Sequence, residues 1–200
     1  ALGTTAAKQG NWDDAIRWFS AGTESAPGKF PHVAGNLALT LWNVRDDAEG
    51  ALAVLETNRQ TGAGITSIWQ QANLDLMEAH IRIRTGEHER PRKLILHSLT
   101  RLREVKVRYD LQYAALSLLS VIERHAGRLA TSATHLLEAI DLATSHGFDP
   151  LWREATEVVD LPETLDELGH PDLASRAVTA FHASNTFALA PGEERELDQL

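Results

Sequence analysis

Apolar residues recur along this chain at helical rather than strand spacing. Ala34, Leu37, Ala38 and Leu41 form one stripe at three- and four-residue intervals, and Ala48, Ala51, Leu52 and Leu55 form the next. Ile65, Ile68, Trp69, Ala72, Leu76, Ala79 and Ile83 share one face of a long helix that Gly86 ends. Pro91 follows where a first-turn proline is tolerated, and Leu94, Ile95 and Leu99 carry the next helix. Another pair runs from about Asp110 to Ala126, turns at Gly127 and resumes through Ala133, Leu136, Leu137, Ala139 and Ile140. The last runs from about Pro150 to Leu168, turns at Gly169, His170 and Pro171, and resumes through Ala174, Ala177, Val178 and Phe181. Pro162 kinks or restarts its first helix. Strand patterning is nearly absent. The chain is predicted to be all-α.

The punctuation is periodic. The turn glycines at 10, 86, 127 and 169 stand 76, 41 and 42 residues apart, and the first interval is two repeats of 38. Between the Ala34–Leu41 and Ala48–Leu55 stripes the segment from Asn43 to Asp47 makes a turn with one extra residue. Helix-turn-helix units of this length predict an α-solenoid. Residues 8 to 27, KQGNWDDAIRWFSAGTESAP, carry Gly10, Trp12, Ala15, Phe19, Gly22 and Pro27, and Leu2-Gly3 precede them. This wording resembles the tetratricopeptide repeat (TPR). Each residue has a physical task. Gly10 permits the tight turn, Ala15 lets two helix backbones approach, Phe19 fills the space between helices and Pro27 stops the second helix. The resemblance implies a right-handed α-solenoid of about five TPR-like repeats, at roughly 1–29, 30–62, 63–107, 108–147 and 148–185, with a terminal cap at 186–200.

A subgroup is also suggested. Leu102-Arg103-Glu104-Val105, Tyr113-Ala114-Ala115-Leu116, Gly127-Arg128-Leu129-Ala130 and Leu136-Leu137-Glu138-Ala139 resemble the MalT-like TPR arrays of bacterial ATP-dependent regulators, LuxR-type or cyclase-linked. The closing Leu189 to Glu193 with Leu197 is similar to the last unit of such arrays. The resemblance implies a non-catalytic module that senses a signal or binds a protein or peptide, including other domains of the same parent protein. A free-standing TPR adaptor is the alternative.

Composition narrows this further. The chain has 200 residues, 43% apolar and 24% charged, which is ordinary for a globular fold able to bury a core. No stretch approaches the roughly 20 apolar residues a membrane span needs. With no cysteine there is no disulfide, thiolate metal site or Cys nucleophile, which fits a cytoplasmic location. The opening Ala-Leu-Gly-Thr-Thr has no initiator Met and no signal peptide, and reads as a fragment of a longer chain. A net charge of -9 makes direct nucleic-acid binding unexpected. The nine histidines form no H-E-x-x-H, no Gly-rich phosphate loop ends in Lys-Ser/Thr, and G-x-S-x-G is missing. Asp13-Asp14 and Asp46-Asp47 sit at helix starts, where carboxylates suit the helix dipole. No catalytic residue, metal ligand set or cofactor is assigned.

Two candidate partner surfaces remain. TPR arrays line their inner groove with the first helix of each repeat. Carrying that register over gives Thr4, Lys8, Asn43, Asn73, His80, Arg84, Ser117 and Arg124, of which Asn73, His80 and Arg84 form one stripe. There an Asn could hold a peptide backbone and an Arg a carboxylate. Trp69 and Met77 read as core, since apolar residues at helical period usually pack. The second surface is a basic belt. From Arg82 to Arg108 nine basic residues face only three glutamates, whereas Asp149 to Asp172 holds eight acids against Arg153 alone. Arg101, Arg103, Lys106 and Arg108 would meet an acidic partner, unless such charges simply pair with neighbouring repeats.

Overall fold

In a computed structural model the described residues are 2–62, 67–146, 166, 167, 169, 171, 172 and 175. Among them there are eight helices and no strand: α1 (Leu2–Lys8), α2 (Trp12–Ser25), α3 (Pro31–Arg45), α4 (Ala48–Thr61), α5 (Ile68–Arg84), α6 (Glu89–Val105), α7 (Tyr109–His125) and α8 (Leu129–Ser145). The glycine turns are built alike. Gly10, Gly86 and Gly127 have φ of 72°, 86° and 71°. Their N–H groups donate to Ala7, Ile83 and Arg124 carbonyls at 3.0, 3.0 and 2.8 Å. The following N–H of Asn11, Glu87 or Arg128 donates back to Ala6, Arg82 or Glu123 at 2.9, 2.8 and 2.8 Å. This pair of bonds is the Schellman closure, which satisfies carbonyls at a helix end and requires the left-handed backbone that glycine adopts freely. Gly169 has φ of 80° and donates to the Asp166 carbonyl at 2.9 Å. The rest of the expected fifth unit and the cap at 186–200 lies outside the described residues.

The other turns use different chemistry. Asp46 takes the left-handed position between α3 and α4, a conformation Asp tolerates, and the Asp47 side chain then caps α4 by accepting from Gly50 N–H at 2.7 Å. The Asp47 N–H reaches back six residues to the Leu41 carbonyl, one further than at the glycine turns. Between α6 and α7, Lys106 and Arg108 have φ of 50° and 51°.

Helices pack as antiparallel neighbours, α1 with α2, α3 with α4, α5 with α6 and α7 with α8. Each second helix also packs on the next first one, and α5 touches both α3 and α7. Ala15 is fully buried, and Phe19 lies so close over Gly3 that a side chain there would strike its ring. Ala38, Ala51, Leu55, Leu74 and Ile81 join α3, α4 and α5. The largest cluster joins α5 to α8 through residues such as Leu102, Tyr113, Leu119 and Ala139. Every residue of α7 from Leu111 to Glu123 is buried. A helix apolar nearly all round belongs inside. Among the described residues no helix is long and apolar enough to cross a membrane.

Candidate functional site

The stripe on α5 meets α3. Gly35 of α3 leaves no room for a side chain because Met77 of α5 fills the space, so Met77 packs between helices. The Asn73 amide faces the Met77 sulfur at 3.8 Å, a weak partner for a strong donor. One turn on, the His80 ring meets Trp42 of α3 edge to face, with centroids 5.2 Å apart. The Arg84 guanidinium lies 5.7 Å from the Trp42 ring centroid, a cation–π distance. His80 is 5% exposed, and its Nε2 has no hydrogen-bond partner among the described residues. Burial first, and the Arg84 charge second, push its pKa down to about 3. It is therefore a neutral imidazole at physiological pH.

The remaining groove candidates are placed differently. Lys8 is exposed at the end of α1, and Asn43 is half-buried on α3. Ser117 is buried, its hydroxyl donating to the Tyr113 carbonyl at 3.1 Å, so it presents nothing at a surface. The Arg124 side chain is 8% exposed and pairs with Glu167 at 3.2 Å. The structure thus brings together Asn73, His80 and Arg84, adds Trp42, and leaves Ser117 inside.

In the basic belt, three of the four residues bond within the chain. Arg101 donates to Gln71 at 2.6 Å, Arg103 pairs with Glu138, and Arg108 grips Asp110 through two bonds at 2.9 and 2.6 Å. Lys106 is exposed. Trp69, expected in the core, is instead 37% exposed with the Arg108 guanidinium 5.0 Å from its ring centroid. At the first turn of α5 it stands at the edge of the packed layer, where a cation covers it in place of another helix.

Arg82, Arg90 and Arg92 of the same basic stretch, with Arg59 before it and Arg128 after it, hold two buried carboxylates. Glu78, 2% exposed, accepts from Arg82 at 2.7 Å, lies 2.8 Å from Arg90 and pairs with Arg59, so α4, α5 and α6 converge on it. Burial alone would raise its pKa, but the hydrogen bonds from Arg82 and Arg59 and the Arg59 and Arg90 charges hold it below the ordinary carboxylate value. Asp75 completes the cluster, accepting from Arg59 at 2.8 Å and Ser98 at 3.1 Å. Glu123, 1% exposed, accepts from Arg92 of α6 at 2.9 Å and pairs with Arg128. The Arg128 hydrogen bond is the main cause of its lowered pKa. Sequence reading missed both. The signal available was a glutamate amid buried positions with Arg four or five residues on, as in Glu78-x-x-x-Arg82 and Glu123-x-x-x-x-Arg128.

Comparison with family models, curated proteins and solved structures finds no match to this chain.

Proposed function

We propose that this chain is a TPR-type α-solenoid acting as a non-catalytic interaction or signal-sensing module, with its ligand face on the first helices of its hairpins. The single observation that carries this reading is the row Asn73, Trp42, His80 and Arg84. It combines an amide facing a thioether, an aromatic ring, a neutral imidazole nitrogen without a partner among the described residues, and an exposed guanidinium. Such a row suits a peptide with an acidic side chain. Arg supplies the charge-assisted bond, Asn the backbone contact and Trp the apolar area. The recurrent glycine closure and the packing of α5 between α3 and α7 support the solenoid. Placement within a larger bacterial regulator rests on the sequence resemblance alone.

The test is selection of peptides from a random library on the intact protein, followed by fluorescence polarisation. Selected peptides should be rich in Asp and Glu. Joint replacement Asn73→Ala and Arg84→Ala should weaken them at least about tenfold, the loss of one charge-assisted bond, mainly through faster dissociation. Lys93→Ala, on the exposed side of α6, should leave binding unchanged. Failure to select any peptide, or indifference of binding to the α5 pair, overturns the reading.

A further inference from the structure

We infer that Met77, the one methionine of the chain, is an oxidation site whose sulfoxide oxygen the Asn73 amide holds, withdrawing that amide from a peptide on the α3–α5 face. The regulation rests on the functional reading above. The modification itself does not.

Position is the first ground. The Met77 side chain crosses from α5 to α3 at Gly35, where a Cβ would collide with its sulfur and its methyl carbon. The backbone of α3 thus closes one side of the thioether. The Asn73 amide nitrogen faces the same place, 3.8 Å from where that Cβ would stand and 3.8 Å from the sulfur. Both Asn73 and Met77 are half-buried rather than sealed in the core, so a small oxidant is not walled off from them.

Chemistry is the second. Hydrogen peroxide transfers one oxygen to a thioether: the O–O bond breaks, an S–O bond forms, and the sulfur gives up two electrons. The other peroxide oxygen takes the remaining proton and leaves as water. A thioether is a weak acceptor, whereas a sulfoxide oxygen is polar and accepts strongly. An S–O bond of about 1.5 Å, inclined roughly 40° to the line from sulfur to the Asn73 nitrogen, puts its oxygen about 2.8 Å from that nitrogen. That is an ordinary hydrogen-bond length, reached without moving either helix.

The third ground is what the bond does to the packing. Met77 lies against the cluster of Ala38, Ala51, Leu55, Leu74 and Ile81, where an unpartnered sulfoxide would loosen the contact of α3 with α5. Asn73 supplies the partner, so the fold tolerates the oxygen. The N–H turned toward the sulfur is then spent, and a peptide backbone has to compete with the sulfoxide for it.

With no cysteine in the chain, peroxide meets a single sulfur. The parent, Asn73→Ala and Met77→Leu proteins are treated with hydrogen peroxide until N-acetylmethionine amide in the same solution is fully oxidised. Mass spectrometry should find one added oxygen on the fragment bearing Met77, and a methionine sulfoxide reductase should remove it from unfolded protein. Oxidation should lower the urea midpoint of Asn73→Ala distinctly more than that of the parent, and leave Met77→Leu unmoved. In the parent, the Asn73 side-chain amide protons should exchange severalfold more slowly once Met77 is oxidised. Peptides from the library selection should bind the oxidised parent about threefold to tenfold more weakly, the worth of one amide hydrogen bond, and bind treated and untreated Met77→Leu alike. An unoxidised Met77, or equal midpoint losses in parent and Asn73→Ala with unchanged amide exchange, overturns the inference. Equal peptide binding by the reduced and oxidised parent overturns the regulation and leaves the face as the ligand site. If no peptide binds even the reduced parent, the functional reading has failed, and the mass, midpoint and exchange results still decide the sulfoxide bond.

Discussion

His80 has no charge to give at neutral pH and no partner for Nε2 among the described residues, so its protonation is an unfolding force. In an unfolded chain an imidazole binds its proton near 6.5, whereas the folded chain resists until about 3. Between those values the unfolded state holds more protons. Stability that is complete above pH 6.5 is then lost on acidification, by up to about 1.4 kcal/mol per pH unit. Glu78 and Glu123 act lower down. Their carboxyls are held below the ordinary 4.5, so their contribution is intact above that value and lost as pH falls through the depressed folded value. His80→Leu should therefore flatten the decline in urea midpoint between about pH 6.5 and 5 and, below that, leave mainly the decline that Glu78 and Glu123 cause. A smaller slope persists from His135, whose pKa burial also lowers. At neutral pH the variant should be at least as stable as the parent, because it removes a buried nitrogen that nothing described satisfies. An undiminished slope would assign the effect elsewhere.

The helices themselves were legible because their signals are local. Stripes of Ala and Leu, Pro91 in the first turn of a helix, and glycines at 10, 86 and 127 report structure within a few residues of themselves. The extra residue at the α3–α4 turn was visible for the same reason. The left-handed residues Lys106 and Arg108 were not. Neither side chain favours that conformation, and the surrounding packing imposes it. The glycines also separate two kinds of necessity. Gly127 has nothing within 4 Å of where a Cβ would stand, so Gly127→Ala should cost only the backbone penalty, about 1–2 kcal/mol. Gly28 has φ of 72°, and its missing Cβ would stand 2.5 Å from the Gly62 Cα, which cannot yield as a side-chain end can. Gly28→Ala should lower the denaturation midpoint distinctly more than Gly127→Ala. Equal shifts would show that the α2–α3 and α4 ends separate freely.

At the scale of the whole molecule, legibility ran out where residues distant in sequence meet. The α5 stripe could be read, since Asn73, His80 and Arg84 lie on one helix, but Trp42 comes from another. The belt looked basic because Gln71, Asp110 and Glu138, which bind its arginines, are spread along the chain or cancel only in space. Ser117 looked like a groove residue because register says nothing about burial of the helix that bears it. Cross-helix ion pairs invite a direct test. The double change Glu123→Arg with Arg128→Glu preserves the pair at the turn but sets a second guanidinium against that of Arg92 on α6. It should destabilise by about 3 kcal/mol or more in chemical denaturation, the usual effect of breaking a buried pair. A midpoint matching the parent would mean that α6 docks on α7 without help from Arg92.

The Gly86 and Gly127 turns are alike in backbone but opposite in polarity: Arg82 faces Glu87 in one, and Glu123 faces Arg128 in the other. Look-alike hairpins emerging in succession from a ribosome can pair out of order, or with the same hairpin of another nascent chain. Here such an exchange would forfeit an ion pair. If α6 sought the α5 of a second copy where α7 belongs, Arg92 would meet Arg82, already bonded to Glu78 and Glu87, instead of Glu123, and the wrong pairing would lack this cross-helix bond. The reversed sign works as an address, telling each hairpin which neighbour is its own.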